Sequence, residues 1–117
     1  MKIFVSGSTG SIGAHLVKML SERGHTIHVL VRSLKKAKNL CFNNVIPFEG
    51  DITDKSSVDK AMKDCTQAYH VAAFAKVWAK DTGIFYKINV EGTINVLQSA
   101  IDYNVQKVVV TSTAGVY

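Results

Sequence analysis

The sequence predicts an α/β fold built on a parallel β-sheet. Short runs of β-branched and apolar residues alternate with amphipathic segments along all 117 residues, without an internal repeat, a low-complexity tract or a linker. A glycine-rich segment joins the first apolar run directly to the first amphipathic segment. Such alternation is typical of βαβ units, whose right-handed crossovers place helices on both faces of the sheet.

The apolar runs predict five strands, at residues 2–6, 26–31, 45–49, 67–72 and 107–111. Helices are predicted at 11–23, 33–40 and 84–103, and a further one is capped by Thr53 or Asp54. Their expected inner faces carry Ile12, Leu16, Met19 and Leu20 in the first, Val58, Ala61, Met62 and Cys65 in the capped one, and Ile84, Ile88, Ile94, Leu97 and Ile101 in the last. The expected strand order is 3-2-1-4-5, a Rossmann-type doubly wound sheet that lacks its final strand, with a nucleotide at the carboxyl ends of strands one and four.

Composition fits one domain, residues 1–117, with 47% apolar and 20% charged residues. No apolar run or signal peptide points to a membrane, so a cytoplasmic location is expected. Two cysteines and four histidines, none at a ligand spacing, predict no metal and no disulfide scaffold. The net charge of +5 suits a phosphorylated cofactor. A nucleic-acid partner is not expected, because no aromatic residues interleave with the basic cluster at 32–38.

The glycine loop follows strand one and opens the first helix. It comprises Gly7, Ser8, Thr9, Gly10, Ser11, Ile12 and Gly13. Gly7 permits the tight turn, Gly10 lets the backbone approach a pyrophosphate, and Gly13 lets the helix lie close to the sheet. Free N–H groups at the helix start then face the phosphates. Strand, turn and helix together predict dinucleotide binding, which a glycine-rich turn alone would not.

The end of strand two predicts which dinucleotide is preferred. Proteins that prefer NAD carry an acidic residue about 20 positions past the loop. Here Arg32 and Ser33 stand instead, and a guanidinium suits a 2′-phosphate. Lys35 and Lys36 can assist, unless this is only a solvated basic face. NADP(H) is therefore the expected cofactor, with NAD(H) as the alternative.

Five segments together resemble the extended short-chain dehydrogenase/reductase family. They are the glycine loop 6–13, Gly50–Asp54, His70–Ala73, Asn89–Asn95 and Val109–Ala114. They cover nearly the whole chain in the family's order. Residues 31–33 together with 70–73 are most similar to the dihydroflavonol-reductase-like branch. The resemblance implies that Asp51 binds the adenine amino group, that Ile52 packs on the ring, and that Val71, Ala72 and Ala73 line the cofactor ribose.

The resemblance also implies catalytic positions. Thr113 is the candidate for hydrogen bonding to the substrate carbonyl, with Ser112 as the near alternative; serine is commoner in the family at the Thr113 position. Asn89 either supports a proton relay or is a buried amide bonded to backbone. The family's proton donor is the Tyr of a Tyr-x-x-x-Lys downstream of strand five, and we expect no such segment anywhere in the chain. The 117-residue chain alone is therefore predicted to be inactive, because the C-terminal catalytic and substrate region is absent from it.

These features predict the N-terminal, NADP(H)-binding part of a reductase or dehydrogenase acting on a carbonyl/alcohol pair, with a small-molecule substrate. Three alternatives remain. A sugar-nucleotide epimerase or dehydratase of the same family would retain NAD and carry an acidic residue at the end of strand two. Arg32 at that position argues against this alternative. A non-catalytic cofactor-binding or redox-sensing protein would need no Tyr-x-x-x-Lys. A nucleic-acid binder is motivated only by the pI near 9.3. The valines at 108–110 on the last strand also predict self-association, because an unpaired strand edge recruits other chains.

Overall fold

The computed structural model describes residues 1–7, 11–35, 44–71 and 90–110. Five strands form one sheet: β1 (Lys2–Ser6), β2 (Thr26–Val31), β3 (Val45–Glu49), β4 (Gln67–His70) and β5 (Lys107–Val110). The helices in these ranges are α1 (Ser11–Glu22), α2 (Lys55–Met62) and α3 (Gly92–Asp102). All neighbouring strands are parallel, in the order β3-β2-β1-β4-β5. The predicted fold class and strand order are confirmed.

Alternate residues of the central strand separate two apolar layers, since successive side chains of a strand point to opposite faces. Ile3 and Val5 of β1 pack with Val17 and Leu20 of α1 on one face. Phe4 faces the other layer, whose buried members include residues of α2, α3 and the loop after β3: Val58, Ala61, Met62, Ile52, Val96 and Ala100. Both faces of β1 and β2 are covered, so these two central strands are mainly apolar along their length instead of alternating.

Each helix in the described ranges is followed by a residue with a left-handed backbone. The φ angles are 85° at Gly24, 68° at Asp64 and 56° at Asn104. This conformation ends a helix by turning the chain back toward the sheet. Glycine, aspartate and asparagine tolerate it better than other residues do. Gly24 directly follows the predicted end of the first helix at residue 23, whereas the sequence analysis assigned no such role to Asp64 or Asn104.

The predicted inner face of the long helix is wrong in its described part. Ile94, Leu97 and Ile101 are 57%, 39% and 70% exposed. The face of α3 that is turned inward consists of smaller residues, namely Gly92, Val96, Ser99 and Ala100. Small side chains let α3 lie close to α2, so the large aliphatic residues were left on the outside.

Polar groups explain why α3 takes that orientation. The Ser99 hydroxyl donates to Oδ1 of Asp59 on α2 at 2.6 Å. Lys55 Nζ donates to Asp59 Oδ1 at 3.1 Å and to Asp102 Oδ2 at 2.8 Å. Turning Ile94 and Leu97 inward would carry Ser99 away from Asp59. The carboxylate would then lose a short charge-assisted hydrogen bond.

Other predicted boundaries shift by small amounts. Asp54, one of the two expected caps, accepts from the backbone N–H of Ser56 and begins α2. Met19 of α1, expected to face inward, is 39% exposed. Of the short helix predicted at 33–40, the structure describes only a single tight turn at Leu34 and Lys35.

No helix in the described ranges is both long and apolar enough to span a membrane.

Candidate functional site

The turn that leaves β1 has the backbone that the glycine loop requires. Gly7 has φ of 76°, a region that side-chain-bearing residues rarely adopt. Gly13 is buried in the first turn of α1, as expected of a residue that brings the helix close to the sheet. Ser8, Thr9 and Gly10 lie outside the described residues, as do the side chains of Ser11 and Ile12. In the described residues, β1, Gly7 and α1 thus occur in the predicted order.

A buried hydrogen-bonded chain joins the ends of β1 and β4. Ser6 Oγ lies 2.7 Å from Nδ1 of His70, and Nε2 of His70 lies 3.0 Å from Oγ1 of Thr93 in the first turn of α3. Ser6 is fully buried and His70 is 3% exposed. Burial lowers the pKa of His70, because a charged imidazole loses its hydration there. A neutral imidazole therefore links the strand that carries the glycine loop to α3.

The hydrogen-bonded series from Ser6 through His70 to Thr93 was not predicted as part of the site. Ser6 and His70 are paired in the register of β1 and β4, at the point where the strand order reverses. Val71, predicted to line the cofactor ribose, follows immediately, and its N–H donates to the carbonyl of Ser6 at 3.1 Å. A polar residue at the end of each of two adjacent apolar strands is the sequence signal that could have found the pair.

The carboxyl ends of β2 and β3 form the charged part of the site. Arg32 Nε lies 3.8 Å from Oδ2 of Asp51, and both side chains are substantially exposed. The predicted phosphate-binding and adenine-binding residues are thus neighbours. Ser33 Oγ accepts from the N–H of Lys35 at 3.3 Å. Glu49, which was not predicted, places Oε2 at 3.4 Å from the N–H of Leu34.

The loop after β3 holds Asp51 in position through its own hydrogen bonds. Ser57 Oγ accepts from the N–H of Asp51 and donates to its carbonyl, at 3.0 and 2.9 Å. Asp51 Oδ1 accepts from the N–H of Thr53 at 3.0 Å. A Cβ at Gly50 would lie 2.3 Å from the Cβ of Ser57, so glycine is needed for this close approach. The Asp51 carboxylate is therefore oriented, with Oδ2 left beside Arg32.

Ile52 is buried rather than exposed. It leaves 7% of its surface accessible and belongs to the core layer of α2 and α3. A Cβ at Gly92 would lie 2.5 Å from Cδ1 of Ile52, so this side chain fills the space that the glycine leaves open. Asn95 also donates to the carbonyl of Ile52 at 2.8 Å. Packing of Ile52 against an adenine ring stays a prediction.

Several predicted site residues lie outside the described residues. They are the cofactor candidates Lys36, Ala72 and Ala73 and the catalytic candidates Asn89, Ser112 and Thr113. Their roles stay predictions. The candidate site is thus defined structurally by its two strand junctions: β1 with β4, and β2 with β3.

The expectation that the chain contains no Tyr-x-x-x-Lys is wrong, because this spacing occurs at Tyr103 and Lys107. Tyr103 follows the last residue of α3, and Lys107 is the first residue of β5. Lys107 pairs with Gln67 at the amino end of β4. This tyrosine and lysine therefore lie at the amino ends of the strands, whereas the glycine loop lies at their carboxyl ends. They are too far from the candidate site to serve as its proton donor and activator.

The buried thiol in the described part of the chain is separate from the site. Cys65 Sγ lies 3.5 Å from His28 Nδ1 and donates to the carbonyl of Ala61. Burial raises the pKa of Cys65 to about 12, so the unreactive thiol form predominates. Within the described residues, no group of three His, Cys, Asp or Glu side chains could hold a metal.

Comparisons with known proteins agree with this geometry. The family model described as the NAD dependent epimerase/dehydratase family matches residues 3–117. A putative dihydroflavonol 4-reductase of Synechocystis sp. is 37% identical over 109 residues, which are 93% of this chain and 32% of the relative. The chain therefore spans about a third of the length of the curated relatives it matches.

Solved structures of two kinds share the fold. Yeast methylglyoxal/isovaleraldehyde reductase Gre2, complexed with NADPH, gives a TM-score of 0.83 at 28% identity over 96% of this chain and 37% of that one. The UDP-glucose 4-epimerase of Thermus thermophilus, in complex with NAD, gives 0.79 at 29% identity over 92% and 36%. The glycine turn, the strand order and the match over residues 3–117 lead to one conclusion: this chain belongs to the NAD dependent epimerase/dehydratase family.

Proposed function

We propose that this chain binds NADP(H) and forms the dinucleotide-binding part of a reductase or dehydrogenase that acts on a carbonyl/alcohol pair. The position of Arg32 carries the proposal. It follows β2 at the carboxyl ends of the strands, and its side chain is 72% exposed beside the loop after β3. An exposed guanidinium at this edge can form the paired hydrogen bonds that a 2′-phosphate accepts.

The glycine turn supplies the other half of the binding site. Gly7 and Gly13 permit a close approach of the backbone, and the first N–H groups of α1 carry the positive end of the helix dipole. In the proposed reaction, hydride passes between the nicotinamide and a substrate carbon. Thr113, or Ser112 beside it, hydrogen-bonds the carbonyl oxygen where negative charge develops.

Calorimetric titration with NADPH and NADH tests the proposal. A charge-assisted contact contributes about 1.5–3 kcal/mol, so the parent chain is expected to bind NADPH at least about tenfold more tightly. The Arg32→Ala variant should lose that preference and keep its affinity for NADH. Lys60→Ala, which removes a cation from α2, is the matched control. Equal affinities in the parent, or an unchanged preference in Arg32→Ala, would contradict the proposal.

An NAD-dependent epimerase or dehydratase is the second candidate, and one observation favours it. Two carboxylates, Glu49 and Asp51, stand at the same strand ends as Arg32. Carboxylates accept from ribose hydroxyls and repel a phosphate. Tighter binding of NADH than NADPH by the parent chain would support this candidate over the reductase.

A further inference from the structure

Glu49 is the last residue of β3 and lies beside the residues that follow the neighbouring strand β2. It pairs with Val31 in the register of β3 and β2. The next residue, Gly50, donates its N–H to the carbonyl of Val31 at 2.8 Å. The two strand ends are therefore fixed relative to each other. The side chain of Glu49 lies at the surface beside the segment that begins with Arg32.

The segment after β2 carries several hydrogen-bond donors. Side-chain oxygens of the protein itself already lie close to these donors. Glu49 Oε2 lies 3.4 Å from the N–H of Leu34. The N–H of Lys35 is taken by Ser33 Oγ, and Arg32 Nε lies 3.8 Å from Asp51 Oδ2. An anion bound here would meet the carboxylate of Glu49, which already accepts from one of these donors, the N–H of Leu34, and carries the same sign of charge.

We propose that Glu49 is a specificity-determining residue that weakens binding of a 2′-phosphorylated dinucleotide relative to its unphosphorylated form. The inference rests on the proposed dinucleotide function. A phosphate monoester carries close to two negative charges at neutral pH. It must displace Glu49 from the Leu34 amide and also tolerate the carboxylate nearby. A ribose 2′-hydroxyl is neutral and can donate to the same carboxylate, so Glu49 favours it.

Arg32 and Glu49 then act in opposition on one ligand group. Arg32 attracts a 2′-phosphate, and Glu49 repels it. The ratio of NADPH to NADH affinity is consequently smaller than Arg32 alone would set. Since both side chains are exposed, their effects are screened by water and by salt.

The Glu49→Gln variant tests this with the smallest possible change. Glutamine keeps the size of the side chain and an oxygen for the Leu34 amide, and removes only the charge. Titrations of the 117-residue chain use NADPH, NADH, adenosine 2′,5′-bisphosphate and ADP. We expect the variant to bind the two 2′-phosphorylated ligands about threefold to fivefold more tightly at low salt, the size typical of an exposed charge pair. Affinity for NADH and ADP should change less than about twofold, within the range of a surface substitution.

Glu22→Gln is the matched control, because it makes the same charge change at the last residue of α1. That residue lies toward the amino ends of the strands, away from the candidate site. It should leave the affinity ratio unchanged. The effect of Glu49→Gln should also shrink as ionic strength rises. Thermal unfolding of both variants checks that the fold is retained.

The outcomes separate the two proposals. A parent that prefers NADH, with a ratio that still moves in Glu49→Gln, supports the role of Glu49 and contradicts the NADP(H) preference. A parent that prefers NADPH, with an unchanged ratio in the variant, overturns the role of Glu49 alone. Equal tightening of all four ligands, or an equal shift in Glu22→Gln, overturns it as well. A chain that binds neither dinucleotide overturns both proposals.

Discussion

The two strand junctions of the candidate site are built on opposite principles. At the ends of β1 and β4, Ser6 and His70 are buried, uncharged and hydrogen-bonded at 2.7 Å. At the ends of β2 and β3, Arg32 and Asp51 are exposed, charged and 3.8 Å apart. The loss of a partner at a buried polar group lowers the free energy of unfolding by far more than an exposed ion pair adds to it. The first junction therefore maintains the fold, and the second can change its charges with little effect on stability.

The largest expected effect concerns turnover, because the described residues of the two junctions include no Tyr-x-x-x-Lys segment. The chain of 117 residues should show no dehydrogenase activity with any carbonyl substrate. Loss of general acid–base assistance alone typically costs about 10²–10⁴-fold in rate. Oxidation of NADPH, followed by absorbance with a panel of aldehydes and ketones, measures this. Clear turnover that Thr113→Val abolishes would show that the chain contains a complete catalytic set.

Stability should separate the two junctions sharply. His70→Ala removes a buried ring and leaves two hydroxyls without their partner, so the free energy of unfolding should fall by about 2–4 kcal/mol. Arg32→Ala should stay within about 0.5 kcal/mol of the parent, as exposed substitutions do. Urea unfolding measures both, with His15→Ala on the exposed side of α1 as the matched control. Equal losses for His70→Ala and Arg32→Ala would break the distinction between the junctions.

Self-association is expected outside both junctions, at β5. Among the described strands β5 has a neighbour on one side only, and Val110 is 45% exposed. A lysine at an open edge discourages pairing with another chain. Val110→Lys should raise the dissociation constant of a dimer by about tenfold, or 1.4 kcal/mol. Sedimentation at several concentrations decides it.

Ile46→Lys is the control for that experiment. Ile46 has nearly the same exposure, 44%, on the opposite edge strand β3. It should leave the dissociation constant unchanged. A monomer at all micromolar concentrations, or equal effects of the two lysines, would contradict pairing through β5.

The smallest expected effect is a pH dependence of stability that originates at the buried junction. Burial lowers the pKa of folded His70 below its ordinary value of 6.5. Above that value both the folded and the unfolded chain hold the imidazole neutral. As the pH falls below it, the unfolded chain takes up a proton that the folded chain does not, so stability is lost until the lowered pKa is reached.

Urea unfolding between about pH 8 and pH 5 should therefore show a declining free energy of unfolding. The His70→Gln variant should lose the part of this slope that belongs to His70. The exposed His15→Gln variant should keep it. A slope that is identical in the parent and in His70→Gln would mean that the junction does not titrate as proposed.

The fold was largely predictable because the central strands β1 and β2 are buried on both faces. Continuous apolar runs such as Ile3–Val5 and Val29–Val31 leave little choice of strand, and parallel topology fixes the rest. The start of α2 was likewise predicted to within one residue, at Thr53 or Asp54, because a side-chain cap depends on local chain geometry alone.

The orientation of α3 could not be predicted in the same way. Its apolar residues occur at helical spacing on more than one side, so hydrophobic periodicity alone favours the larger ones. What decided the orientation was close approach at Gly92 and the hydrogen bond from Ser99 to Asp59, 40 residues earlier in the chain. For the same reason Glu49 and His70 were missed as site residues. Their partners, Leu34 and Ser6, are distant in sequence and become neighbours only through strand register.

Pro47 of β3 has a consequence for how copies of this chain can assemble. Gly50 directs its N–H toward β2, so by the two-residue period of a strand the nitrogen of Pro47 points away from the sheet. That edge thus lacks a donor, while the edge at β5 keeps its own. Joining β5 of one copy to β3 of the next would propagate without end, and Pro47 opposes that arrangement. Among the described strands, two copies that meet through β5 around a twofold axis instead leave the proline-bearing edge of β3 outward in each copy, which disfavours growth beyond the pair.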